Sequence, residues 1–166
     1  MQGRDYCILC PIPITINNIN YKCYMNPQDL IAKLKAQHFT LIEDLTSALG
    51  YLTSQEGVES SVILEILQKF KSDLIEHLQL ENNSFYLDYF NKKSLMNADI
   101  DNEQEFHEKM NDIGTEVMNF LDKYSTPEAM DDNPSEFKSE LSGIIDTLKL
   151  RIETEEEGIF DVYLSM

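Results

Sequence analysis

Long segments of this chain carry apolar residues at the three- and four-residue intervals of an amphipathic helix. The pattern predicts helices over Pro27 to about Leu52, Glu59 or Ser60 to about Phe90, Asn102 to Tyr124, and Pro134 to about Tyr163. Asn26 and Asn133 each precede a proline, as expected of a helix N-cap followed by proline at the first helical position. The acidic, turn-rich segment 127–134 is predicted to be a loop.

Each predicted helix has one apolar stripe, and such a stripe needs a neighbouring helix to cover it. On the fourth helix the inward positions read Leu141, Ile144, Leu148, Arg151, Glu155, Ile159 and Val162. The chain has only 6 Gly and 5 Pro, which favours helices over strands and turns. We therefore expect an all-α fold, an up-down-up-down four-helix bundle formed by residues 26–166.

The first 25 residues differ from the rest and are expected to form an irregular N-terminal arm, with a short strand around Ile12 to Ile16. Met25 is also a possible natural start, in which case the arm is not native. The three cysteines, Cys7, Cys10 and Cys23, are an odd number and do not suggest a disulfide framework. Zinc needs four ligands, and this arm offers three thiols without a histidine.

The formal net charge of −17 limits the possible partners. A surface this acidic repels phosphate backbones and anionic lipid headgroups, so direct binding to nucleic acid or membranes is not expected. The sequence contains no apolar run of the roughly 20 residues needed to span a bilayer, and its beginning does not resemble a signal peptide. We expect a soluble, cytoplasmic protein.

Ionisable residues occupy inward positions on all four predicted helices: His38 on the first, His77 and Glu81 on the second, His107 on the third, and Arg151 and Glu155 on the fourth. Taken alone, His77 and Glu81 could be an exposed pair one helical turn apart. Together, however, these residues would be costly in a bundle core unless they were paired or bound a metal. Imidazoles with carboxylates suit iron, zinc or manganese.

These residues and their spacing resemble the hemerythrin-like or HHE cation-binding domain family, over about residues 26–164. The family pattern is a His on helix one, His-x-x-x-Glu on helix two, a His on helix three and His-x-x-x-Glu on helix four. This chain has His38, then His77 to Glu81, then His107. Its last motif departs from the pattern, because Arg151 stands where the family has histidine and is followed four residues later by Glu155.

The resemblance implies two irons bridged by the motif glutamates. The ligands of the first iron are all present as His38, His77, Glu81 and Glu155, whereas the second retains His107 and the shared glutamates. Some members carry a further Glu directly after the helix-two His, where this chain has Leu78. A guanidinium cannot deprotonate to become a ligand. We therefore expect Arg151 to replace the second metal by pairing with Glu155, Glu81 or both, while one ion remains.

The resemblance leaves three functional interpretations. The first is a non-enzymatic module that holds one iron, or another divalent metal, to bind or sense oxygen, nitric oxide or iron. The second is a metal-free regulatory or protein-interaction domain whose acidic surface meets a basic partner. The third is a peroxide-reducing enzyme with an open position on one iron. We favour the first, without enzymatic activity.

Overall fold

The computed structural model describes residues 25–54, 59–96, 99 and 101–166, except for the side chains of 101–103. The predicted arm and its strand lie outside these residues. Within them the chain is almost entirely helical and contains no strand, which confirms the all-α class. The elements are α1 (Pro27–Thr53), α2 (Ser60–Leu80), the π-helical segment π1 (Glu81–Tyr86), α3 (Leu87–Leu95), α4 (Asp101–Lys123), α5 (Pro127–Asp131), α6 (Pro134–Thr154), the π-helical segment π2 (Glu155–Ile159) and α7 (Phe160–Leu164).

Two of the long helices begin as the sequence predicts. The Asn26 side chain accepts a hydrogen bond from the Asp29 backbone N–H at 2.8 Å, with proline at the first helical position of α1. Asn133 does the same for α6, accepting from the Glu136 N–H at 3.3 Å. These bonds satisfy backbone donors that have no partner inside the helix.

The loop predicted for residues 127–134 is wrong in its first part, because Pro127–Asp131 forms the short helix α5. The Thr126 side chain accepts a hydrogen bond from the Ala129 N–H at 3.3 Å and caps this helix. Met130 is buried in the core, so one apolar side chain holds the segment against the other helices. Thr126 followed by Pro127 is a helix start of the same kind as those of α1 and α6, an N-cap residue followed by proline. The acidic composition of the segment had favoured a loop instead.

Two ion pairs between α1 and α2 show that these helices run antiparallel. Lys33 lies 3.7 Å from Glu76 and Lys69 lies 2.7 Å from Asp44, so later positions of α1 meet earlier positions of α2. Helix α6 packs against α1 and α4, and α4 also packs against α2. The contacts fit the up-down-up-down order, which remains a prediction. Among the described residues, no helix is long and apolar enough to cross a membrane.

The core consists of two apolar clusters. The first includes Leu41, Leu45, Phe70, Leu74, Phe137 and Leu148. The second is rich in aromatic residues and includes Leu34, Phe85, Tyr89, Phe160 and Tyr163. On α1, on α2 with its extension, and on α6 with its extension, the buried ionisable residues come between the members of the two clusters. The core is therefore divided by a polar layer.

The inward position predicted for Val162 is wrong, because 42% of this residue is exposed. Phe160 and Tyr163 are buried instead. The π-helical turn over Glu155–Ile159 takes up more residues than an α-helical turn and shifts the register of the residues after it. A stripe extrapolated at constant α-helical spacing therefore ends on the wrong side chain.

Candidate metal centre

The polar layer contains five ionisable side chains, none exposed by more than 3%: His38, His77, Glu81, Arg151 and Glu155. Helix α1 supplies the first histidine and α2 the second. The glutamates begin π1 and π2, and the arginine lies in the last turn of α6. Charges at this depth are retained only where they are paired or bind a metal. Five of the six residues predicted for the site thus lie in one buried layer.

The outer nitrogens of the two histidines are held by acceptors. His38 Nδ1 lies 2.8 Å from Glu156 Oε1, and His77 Nδ1 lies 3.3 Å from Gln37 Oε1. A carboxylate or amide oxygen only accepts, so in the neutral form of each imidazole Nδ1 carries the proton and Nε2 keeps its lone pair. Both Nε2 atoms are buried and have no hydrogen-bond partner. This is the orientation of a histidine prepared to bind a metal.

Glu81 joins these two nitrogens, since ligand atoms of His38, His77 and Glu81 all lie within 4.8 Å of one another. Ligands bonded to one ion at about 2.1 Å lie up to about 4.2 Å apart, so a small side-chain rotation would bring the three atoms to a common ion. Glu155 is adjacent, with its Oε2 3.4 Å from His38 Nε2. Two imidazoles and a carboxylate with unpartnered donor atoms fit a divalent transition metal.

Arg151 pairs with both glutamates through one nitrogen. Its Nη2 lies 2.5 Å from Glu81 Oε2 and 3.0 Å from Glu155 Oε1. The second oxygens, Oε1 of Glu81 and Oε2 of Glu155, are buried without a hydrogen-bond partner. The pairing expected with Glu155, Glu81 or both is therefore made with both glutamates, and a single nitrogen of the guanidinium bridges the two carboxylates. Each glutamate therefore keeps one oxygen for another cation.

Both glutamates are the first residue of a π-helical segment, Glu81 in π1 and Glu155 in π2. Single π turns inside α-helices are rare and often occur at functional sites. The helical periodicity of the sequence did not predict either segment. The available signals were weak helix formers, Asn82 with Asn83 after the first glutamate and Gly158 after the second.

His107 lies outside the buried layer of ionisable residues. Its Nε2 is 2.8 Å from Asn82 Oδ1, its ring centroid is 4.1 Å from that of Tyr86, and it is partly exposed. The structure does not bring it into the group formed by His38, His77 and Glu81, so its ligand role remains a prediction.

Three further residues belong to this site and were not predicted from the sequence: Tyr86, Gln37 and Glu156. The Tyr86 hydroxyl donates to Glu155 Oε1 at 3.4 Å, and the other two hold the histidines. Tyr86 had a core aromatic pattern, whereas Gln37 and Glu156 have the ordinary composition of a helix surface, so nothing in the sequence distinguished them.

Burial dominates the electrostatics of the layer. It lowers the pKa of His77 to about 2, helped by the neighbouring His38 and Arg151, so this imidazole is neutral and able to bind a metal. Burial also raises the pKa of Glu81 to about 8, although the Arg151 guanidinium acts in the opposite direction. Burial opposes the charge of Arg151, but the carboxylates of Glu81 and Glu155 outweigh it and raise the pKa of the guanidinium.

Over the described residues the fold is helical and encloses a buried layer of histidines and glutamates, an arrangement typical of helical domains that bind cations. Residues 29–163 match the model of the Hemerythrin HHE cation binding domain, and the chain belongs to this family. Comparison with curated proteins found no match, and neither did comparison with solved structures.

Proposed function

We propose that this protein binds a single divalent metal ion, iron before other metals, and acts without catalysis in binding or sensing oxygen, nitric oxide or iron. The ligands are His38, His77 and Glu81, with Glu155 completing the set. The observation that carries the proposal is the pair of unpartnered, buried Nε2 atoms beside the Glu81 carboxylate. Leaving these two nitrogens and Glu81 Oε1 without a partner costs stability, and a metal ion satisfies all three atoms.

The preference for one ion over two rests on Arg151. Its Nη2 contacts one oxygen of Glu81 and one of Glu155, which are the two family glutamates that bridge irons. A guanidinium stays charged at all physiological pH values and has no lone pair to offer. A second cation beside it would meet like charge and would have His107 as its remaining histidine, which lies against Asn82.

Bound iron would supply a coordination position open to a small diatomic molecule and a redox change of one electron. Buried aromatic side chains cover the proposed metal position beside His38. Phe160 stacks on the His38 ring with centroids 5.9 Å apart and the planes at 3°, and Phe85 packs edge-on against Phe160 at 4.9 Å. Aromatic groups on this side exclude water and keep the imidazole in its plane.

Metal quantification tests this function. Protein purified without chelators, or reconstituted with Fe²⁺ under anaerobic conditions, should contain about one ion per chain, as expected of one set of His and Glu ligands. His77→Ala should lose the ion, and Arg151→His, which restores the family histidine, should raise the iron content. Near two irons per chain in the unmodified protein would refute the assignment of Arg151.

A second candidate is a metal-free regulatory or protein-interaction domain, with the chain's net charge of −17 directed at a basic partner. The observation that favours it is again Arg151, whose guanidinium places a positive charge against both buried glutamates without a metal. The two functions differ in thermal unfolding. An ion present at one hundred times its Kd stabilises the folded state by about 2.7 kcal/mol, so a melting temperature that ignores Fe²⁺, Mn²⁺ and Zn²⁺ would favour the metal-free role.

A further inference from the structure

Two consecutive glutamates face the two nitrogens of one imidazole. Glu155 Oε2 lies 3.4 Å from His38 Nε2, and Glu156 Oε1 lies 2.8 Å from His38 Nδ1. In a regular α-helix neighbouring side chains point about 100° apart, which makes such a shared target unusual. Here both residues belong to π2, whose wider turn brings successive side chains closer in direction.

We propose that Glu156 is the positioning residue of this site, which fixes the His38 ring so that its Nε2 lone pair faces His77 and Glu81. This inference rests on the proposed metal-binding function. Glu156 itself lies too far out to be a ligand, because its contact is with the outer nitrogen of the imidazole. It acts on the metal through His38 alone.

The short contact determines the form of His38. A carboxylate oxygen accepts, so in the neutral form of His38 this contact holds the proton on Nδ1 and leaves the lone pair on Nε2. A carboxylate behind a metal-binding imidazole also makes the imidazole a stronger donor. His77 has a neutral partner, Gln37, at the longer distance of 3.3 Å, so His38 is the firmer of the two ligands.

Glu156 in turn forms an ion pair with a lysine at the protein surface. Lys35 Nζ lies 3.5 Å from Glu156 Oε2, on the oxygen that does not contact His38. The Glu156 side chain is 26% exposed, so it lies at the boundary between the buried layer and the solvent. A series of side-chain contacts, from Lys35 to Glu156 and from Glu156 to His38, thus connects the protein surface to the proposed metal position.

Nitrogen NMR of the metal-free protein tests the inference. Long-range proton–nitrogen spectra of the three histidines report which ring nitrogen carries the proton, and His38→Gln identifies the signals of that ring. For the His38 ring of the unmodified protein we expect a proton on Nδ1 and none on Nε2. In Glu156→Ala the preference should be lost, and in Glu156→Gln it should be retained, because an amide oxygen also accepts. Glu157→Ala, at the exposed neighbouring position, is the matched control.

Metal affinity is the second readout. Glu156→Ala should weaken Zn²⁺ or Fe²⁺ binding by about 10- to 100-fold, and Glu157→Ala should leave it unchanged. A His38 ring that keeps its proton on Nδ1 in Glu156→Ala, or that carries protons on both nitrogens in the unmodified protein, would overturn the positioning role. Absence of metal binding in the unmodified protein would refute the proposed function instead, while the NMR result would still decide the role of Glu156 in orienting His38.

Discussion

Replacing Arg151 by methionine removes the positive charge from the polar layer and keeps most of the side-chain volume. The guanidinium is 3% exposed and contacts Glu81 at 2.5 Å and Glu155 at 3.0 Å. In Arg151→Met, two buried carboxyl groups would face each other without a cation. We expect the metal-free variant to be strongly destabilised and to regain stability when a divalent ion is added, because the ion restores positive charge beside the same oxygens.

Two estimates of the loss in unfolding free energy of Arg151→Met agree. Removing one partner of a buried ion pair costs about 3–5 kcal/mol. Alternatively, the folded variant avoids the uncompensated buried charge by holding one proton more than the unmodified protein, in which burial already raises the pKa of Glu81, and protonating a carboxyl of ordinary pKa about 4.3 at pH 7 costs about 3.7 kcal/mol. For a chain of this size, 1 kcal/mol corresponds to about 2–4 °C, so the melting temperature should fall by roughly 6–20 °C.

The assay is urea unfolding of chelator-treated protein at pH 7 and pH 5. Between pH 5 and pH 7 the folded variant would hold one proton more than the folded unmodified protein, whereas the two unfolded chains would hold the same number, so the variant gains stability relative to the unmodified protein as the pH falls. The deficit relative to the unmodified protein should therefore shrink by about 1.4 kcal/mol per pH unit. Lys109→Met provides a control, because it removes a charge from an exposed pair with Glu105 and should change stability by less than about 0.5 kcal/mol.

A deficit below about 1 kcal/mol at pH 7 would contradict the role of Arg151 as the compensating charge. So would a large deficit that is the same at both pH values, since this would indicate lost packing of the side chain rather than uncompensated carboxylates.

Three further predictions concern the layer and the core. His77→Ala should abolish metal binding measured by calorimetry while His107→Ala retains it, because His107 bonds to an amide outside the group; equal losses would place both in one site. Burial raises the pKa of Glu81 to about 8, so a metal must displace its proton and the affinity should rise about tenfold per pH unit from pH 6 to 8, then level off; an affinity independent of pH would exclude this competition. Phe137→Ala should lower the free energy of unfolding by about 3–5 kcal/mol because that ring is fully buried, whereas Phe39→Ala, at a position 69% exposed, should change it little, and similar losses in both would contradict the assigned core.

Local sequence predicted most of the helical framework. Helix starts at Asn26 and Asn133 depend on a side chain that caps its own next turn, so they are determined within a few residues. The inward positions of His38, His77 and Glu81 likewise follow from the three- and four-residue repeat of each helix. The resemblance to the HHE family, which rests on the same spacing, is confirmed over residues 29–163.

Tertiary structure decided what these residues contact. The π-helical turns that begin at Glu81 and Glu155 change the register of the helix, so Phe160 and Tyr163 are buried where the constant spacing indicated Val162. The π-helical turn that begins at Glu155 also directs Glu156 toward His38, which lies on α1.

The sequence by itself thus determined the helices, their inward residues and the family, because periodicity and capping act over short distances along the chain. It also showed that Arg151 could not be a metal ligand, since that follows from the chemistry of the side chain. Only the packing of helices decided that one nitrogen of Arg151 contacts both glutamates, and that His107 bonds to Asn82 outside the group formed by His38, His77 and Glu81. Such contacts join residues far apart in sequence, and distances between helices are not encoded in the spacing within any one of them.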